Sequence, residues 1–213
     1  MTTMYGRMRR TDMNSPNLAT DTADEDDGLM IRLQEGDRQA FPVLVNKYQQ
    51  SLLNFFYSNT RDRQLSEDLT QDTLLKVYDQ AWDYIPSRRF RGWMFRVARN
   101  LLIDSVRRRT NDALVQAVWG QPDETPLLDT LSADEGDSPV QTADRSELTR
   151  AVDALLPSLP EEQLLTFTLH HFAGLSLPEV AEILESSVAT TKSRLRLARE
   201  KLREELEARG FTE

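Results

Sequence analysis

Apolar residues along this chain recur every three to four positions, and no stretch alternates with the two-residue period of a strand. A first short run, LMIRL, lies within Gly28–Glu35. Phe41, Leu44, Val45, Tyr48, Leu52, Leu53 and Phe56 mark a second helix. Asp37 is placed to cap it, and Pro42 stands near its start, where a missing amide is tolerated. A third helix reads SEDLTQDTLLKVYDQAW, with Ser66 as its expected cap. Its Leu69, Thr73, Val77 and Tyr78 can pack inward, and Asp68, Gln71, Asp72 and Lys76 form a polar stripe. Pro86 and Ser87 then break the pattern within Asp83–Arg89.

The longest amphipathic stretch follows: FRGWMFRVARNLLIDSVRRR, Phe90 to Arg109. At about 100° per residue, Phe90, Met94, Val97, Ala98, Leu101, Leu102 and Ser105 share one arc. Arg96, Arg99, Asn100, Asp104 and Arg107 share the other, with Trp93 and Ile103 among them. From Thr110 to Asp144 the pattern gives way to prolines, glycines and carboxylates, as in a linker. Helical spacing returns at Glu147–Leu156 and from Pro160 to Gly174. Ser176 and Glu179 form a capping box ahead of a short helix, and a turn at Glu185–Ser187 leads into a long basic one, Val188 to Glu207. In that last helix Val188, Thr191, Leu195, Ala198, Leu202 and Leu206 take the core side. Ala189, Thr190, Ser193 and Leu197 lie opposite, flanked by Arg194 and Arg196. Two helices joined by a tight turn, the second basic in its first half, make a helix-turn-helix pattern. The whole predicts an all-α fold of two small helical domains, 28–109 and 145–213. A disordered acidic linker (110–144) joins them, and a disordered tail (1–27) precedes the first.

Charge changes this picture more than composition does. The chain of 213 residues carries a net charge of −9, which on its face argues against a nucleic-acid partner. The charge is segregated, however. Residues 28–109 hold 14 Lys/Arg against 9 Asp/Glu, whereas residues 110–144 hold 8 acidic residues and no basic one. Local charge governs phosphate binding, so a basic first domain survives the acidic average. The polar arc of the Phe90 helix adds an amide and an indole to its cations, a mixture suited to phosphates, base edges and base faces together.

Other chemistry is poorly supported. The chain has no cysteine, which removes disulfides, thiolate metal sites and thiol catalysis, and suits a cytoplasmic setting. No run of about 18 apolar residues predicts a membrane span, and the N-terminus has no apolar signal segment. His170 and His171 are adjacent and point to different sides of a helix, so no metal site is expected of them. No glycine-rich phosphate loop or nucleophile elbow occurs, so neither enzymatic activity nor a cofactor is expected.

Three stretches, in order, resemble one family: SEDLTQDTLLKVY, FRGWMFRVARNLLIDSVRRR and LSLPEVAEILESSVATTKSRLRLAREKLREEL. They are similar to bacterial sigma factors of the extracytoplasmic-function type, the first two to regions 2.2 to 2.4 and the third to region 4. The resemblance implies a dissociable subunit that takes core RNA polymerase to promoter DNA and helps melt it, and that an anti-sigma factor could restrain. It implies that Asp68, Gln71 and Asp72 meet the polymerase. It puts Arg88, Arg89, Phe90, Trp93, Arg96, Arg99, Asn100 and Arg107 at the −10 element. Ser187, Ala189, Thr190, Lys192, Ser193, Arg194, Arg196 and Leu197 fall at the −35 element, with Leu197 standing where such proteins often carry arginine. Elements about 17 base pairs apart lie roughly 58 Å from each other. A linker of this length reaches at most about 115–125 Å, so the domains can occupy both without touching. A helix-turn-helix regulator of duplex DNA alone is the rival reading, and it leaves the Ser66 and Phe90 helices without a role.

Overall fold

The computed structural model describes residues 18–119 and 147–211, with side chains from 25 to 110 and from 150 to 211. Its α-helices are α1 (Leu18–Gln34), α2 (Ala40–Thr60), α3 (Arg63–Asp79), α4 (Phe90–Trp119), α5 (Glu147–Leu155), α6 (Glu161–His171), α7 (Leu177–Ile183) and α8 (Val188–Ala208). Short 3₁₀ turns cover Ala81–Asp83 and Leu156–Ser158. No strand occurs among the described residues, as the helical periodicity requires. The expectations for residues 1–17 and 120–144 lie outside the described residues.

Helices α1 to α4 pack around one aromatic core. Phe55 stacks edge-on against both Phe56 and Phe95, and Leu44, Leu52, Met94 and Ala98 close around them, all 0–1% exposed. The reversal between α2 and α3 is sharp. Arg61 takes the left-handed conformation (φ 55°) and its N–H bonds to the Tyr57 carbonyl. The cap of α3 is Asp62, whose carboxylate accepts the Leu65 N–H at 2.9 Å. Ser66, the expected cap, lies one turn inside the helix and is fully buried, its hydroxyl bonded to the Asp62 carbonyl. The Asp62 carboxylate also pairs with Arg109 at 2.7 Å, tying α3 to α4, and that guanidinium holds it below the usual carboxylate range.

Two boundaries differ from the sequence reading. α1 begins ten residues before Gly28, inside the expected tail, and buries Asp26 and Asp27. Asp26 accepts bonds from Lys47 Nζ (2.6 Å) and the Tyr48 hydroxyl, so its charge is compensated on α2. At the other end α4 continues to Trp119, ten residues into the segment expected to be linker.

In the second domain α6, α7 and α8 pack as a three-helix unit, with α5 leaning on α8. Thr191, Leu195, Ala198 and Leu202 form the buried seam of α8, in the phase read from sequence. Val188 departs from that phase: it is 47% exposed. The Ser176–Glu179 capping box is present as expected.

The two domains do not stand apart. Leu165, Leu169, Ala173, Leu175, Val180 and Ile183 belong to the same buried cluster as Phe55 and Met94. Asn59 donates to the Thr168 hydroxyl (3.1 Å) and Arg61 to the Asp153 carbonyl (2.5 Å) across the same boundary.

Candidate nucleic-acid interface

The −10 candidates gather on α4 and on the loop before it. That loop leaves the 3₁₀ turn at Tyr84, exposes residues 85–89 and enters α4 at Phe90. Arg88, Arg89, Arg96, Asn100 and Arg107 are exposed, and Arg99 is half-buried. The helical wheel therefore places its cations correctly. Phe90 does not belong with them: it is 2% exposed, wedged between Tyr48 and Tyr84, and cannot reach a nucleic acid from there. Its place at the start of the apolar arc already pointed inward.

Trp93 takes an intermediate position. Its indole is not free on the polar arc but packs against Tyr84 (5.1 Å between centroids) and Phe90 (5.9 Å), leaving part of the ring open. The loop, Trp93, Arg96 and the facing edge of α7 enclose a cleft of about 320 Å³. Neither Ile85, which lines the cleft, nor Trp82, on the 3₁₀ turn before the loop, was among the individual residues expected at the −10 element. Trp82 and Ile85 are 68% and 79% exposed, the most exposed large apolar side chains among the described residues. The signal was available in AWDYIPSRR, where Trp82 ends the helical pattern and Ile85 stands in the break after it.

A carboxylate from the second domain lies across this face. Glu182 of α7 pairs with Arg96 at 2.8 Å and with Arg89 at 3.2 Å, and Arg91 faces the Gly174 carbonyl. Gly174 adopts φ +63°, a conformation that favours glycine, and an added Cβ would meet the Arg91 guanidinium at 3.1 Å. Two of the cations read as nucleic-acid contacts, Arg89 and Arg96, are thus engaged within the chain by an anion.

Asp68, Gln71 and Asp72 are exposed together on α3, away from that cleft. Their stripe is acidic and lies on the flank opposite the buried Leu69, Thr73 and Val77. On α8, Ser187 is the cap and its hydroxyl accepts the Thr190 N–H at 3.0 Å. Ala189, Thr190, Lys192, Ser193, Arg196 and Leu197 are exposed along one side, Leu197 at 42%. Arg194 is half-buried and pairs with Glu162, while Arg196 pairs with Glu200 at 2.6 Å. Small residues at the front and arginines beside them let the helix backbone approach a groove closely. The histidines are otherwise engaged: His170 Nδ1 lies 2.8 Å from the Leu175 carbonyl and the His171 ring packs on Phe167.

Residues 44–111 of the chain match sigma-70 region 2, and residues 149–202 match sigma-70 region 4. It is 30% identical over 186 residues to the RNA polymerase sigma-H factor of Pseudomonas aeruginosa, covering 84% of this chain and 92% of that one. It is 27% identical over 175 residues to the ECF RNA polymerase sigma factor SigW of Bacillus subtilis, covering 82% and 93%. Among solved structures it resembles the sigma factor RpoE of Bartonella quintana, in complex with the anti-sigma factor NepR. That match has a TM-score of 0.60 and 25% identity, over 78% of this chain and 96% of that one.

Proposed function

The chain belongs to the sigma factors of RNA polymerase, of the ECF type, and on that premise we propose how its surfaces divide the work of initiation. The acidic stripe of α3 docks on core polymerase. The loop and polar face of α4 take the −10 element and hold it melted. The exposed side of α8 enters the major groove at the −35 element. The observation that carries this division is the separation of three surfaces of distinct chemistry on one small chain. One is anionic, one combines cations with aromatic rings beside a cleft, and one presents a basic helix with small residues at its front.

Each chemistry suits its task. Carboxylates at Asp68 and Asp72 complement a basic partner surface, and they steer encounter as well as hold it. Arginines satisfy phosphates, and an aromatic ring beside them gives an unstacked base a platform. Single-stranded DNA can be gripped in this way while the duplex is open. Such a subunit supplies specificity to the polymerase. A restraining anti-sigma factor would act by covering one of these faces. No helix among the described residues is long and apolar enough to cross a membrane.

Mixing the purified chain with core polymerase tests the division. A one-to-one complex should form and should retain a forked promoter fragment that the chain alone holds weakly. Tight duplex binding by the chain alone, with no complex, would favour the helix-turn-helix regulator instead.

The Glu182 pairs make a further prediction. DNA phosphate must replace Glu182 at Arg89 and Arg96. Exposed ion pairs are each worth about 0–1 kcal/mol, so removing this anion should help only modestly. Glu182→Gln should tighten binding of a −10 single strand about two- to fivefold at low salt, read by fluorescence anisotropy.

Leu197 makes another. It is exposed on the DNA-facing side of α8, so Leu197→Arg adds a cation without burying a charge. Duplex binding should gain about one unit of log–log salt slope, and the melting temperature should stay within a degree or two of wild type. A strongly destabilised variant would place Leu197 in an interface instead.

A further inference from the structure

Promoter reading leaves unused a buried carboxylate on α1. Asp27 is 7% exposed. Its Oδ1 accepts a hydrogen bond from the Tyr84 hydroxyl at 2.5 Å, and its Oδ2 accepts one from the Arg88 backbone N–H at 2.6 Å. Both partners lie on the loop before α4, 57 and 61 residues further along the chain. One turn or two along α1, Gln34 Nε2 donates to the Ala81 and Tyr84 carbonyls, both at 2.8 Å. One helix therefore holds the loop at its root, at its buried phenol and at a backbone amide near its far end.

The loop needs holding. Residues 85–89 belong to no helix or strand, so no ladder of backbone bonds fixes them. Pro86 has no amide to contribute. Arg88 sits at φ +59°, a left-handed conformation that a residue with a Cβ adopts only when its surroundings enforce it. The bond from its amide to a carboxylate is of the strong, charge-assisted kind, and it enforces that conformation. Between the anchors Ile85 stands 79% exposed, and Arg89 projects towards the cleft that Trp93 and Arg96 line.

We propose that Asp27 is a positioning residue for −10 recognition, which fixes the shape of the loop through Tyr84 and Arg88 so that its exposed side chains meet the melted strand preformed. This rests on the reading of the loop and α4 as the −10 site. A loop fixed in advance spares the DNA the entropy of ordering it, and it offers one arrangement of side chains rather than several. Selectivity among −10 sequences is then the property most sensitive to Asp27.

The test uses the full chain with core polymerase, on a promoter of the wild-type protein and on a panel carrying single −10 substitutions. Asp27→Asn leaves one acceptor oxygen where two are used, Tyr84→Phe removes the phenol donor, and both preserve shape. Both variants should assemble with core polymerase at wild-type affinity. The ratio of transcription between the intact and the substituted −10 elements should fall at least tenfold in each. The double variant should fall short of the product of the two single losses, because the Asp27–Tyr84 bond is common to both. A merely structural role would lower output on every promoter alike and leave the ratios at their wild-type values, which would overturn the proposal. If the wild-type protein itself failed to discriminate −10 substitutions, the −10 reading would fall and this proposal with it. Intact discrimination in wild type and variants alike would sink the proposal alone.

Discussion

Reversing one charge on α3, Asp72→Lys, should weaken assembly with core polymerase by at least tenfold. Asp72 is exposed, one helical turn beyond the exposed Asp68 and next to Gln71, so the three side chains share one exposed, acidic face. The neighbours that fold the helix are Leu69, Thr73 and Val77 on its other flank, and the substitution leaves them untouched. Lysine is a good helix former, so helicity should be preserved. A charge reversal removes one attraction and adds one repulsion. Removing one member of a charge pair at an interface costs about 2–5 kcal/mol when the pair is buried there and less at the rim. A tenfold loss, about 1.4 kcal/mol, is therefore the lower bound for a contact at the centre of the surface. Equilibrium binding to core polymerase at two salt concentrations provides the check. The deficit should narrow as salt rises, and unchanged affinity in a folded variant would remove α3 from the polymerase interface.

The second large effect is expected at Trp93. Replacing it with alanine should reduce open-complex formation at least tenfold while leaving initial duplex engagement through α8 within about twofold. Two losses combine. Stacking of a base on an aromatic ring is worth about 1–3 kcal/mol. The indole is also the surface on which the Tyr84 end of the loop rests, at 5.1 Å between centroids. The ring is only half-buried, so its removal costs the first domain less than loss of a core aromatic would. Permanganate reactivity of thymines in the −10 region measures the open strand directly. Footprints equal to wild type would mean that the indole serves packing alone.

The first prediction rests on a stripe legible in the sequence, whereas the second also uses the packing of Trp93 on Tyr84, which was not. The phase of α8 was legible because a surface helix with a single apolar seam leaves little choice: Thr191, Leu195, Ala198 and Leu202 had to face inward together. The exposed cations of α4 followed from the same geometry. The cap of α3 was misplaced by one turn, since Asp62 and Ser66 are both good capping residues and only the reversal at Arg61 decides between them.

The larger misses came from partners far apart in the chain. The acidic run Asp21–Asp27 reads locally as solvated, and the burial of Asp26 and Asp27 within it depends on Lys47, Tyr48 and Tyr84, which no local pattern connects to them. Burial beside those carboxylates pushes the Tyr48 and Tyr84 phenols well above the ordinary tyrosine range, so each stays a neutral donor. The contact between the domains did leave a trace. PEEQLLTFTLHHF is apolar on more than one face of its helix, and a helix of that kind is buried on more than one side. Leu165 and Leu169 face the first domain, whereas Phe167 faces α8, so α6 serves two cores at once.

The closed arrangement also sets what initiation must change. With Glu182 paired to Arg89 and Arg96, the polar face of α4 and the helix α7 lie side by side. Promoter elements about 17 base pairs apart require roughly 58 Å between their readers. On the proposed division the two domains part when the polymerase and DNA engage them, and the segment between α4 and α5 spans the gap.

Transcription in vitro by core polymerase on genomic fragments, with and without this protein, tests the central claim most directly. Discrete start sites should appear only when the protein is present. They should share sequence elements about 10 and 35 base pairs upstream, and their number should fall sharply with Asp72→Lys. Start sites independent of the protein, or an absence of start sites while the protein still binds duplex DNA tightly by itself, would contradict the account.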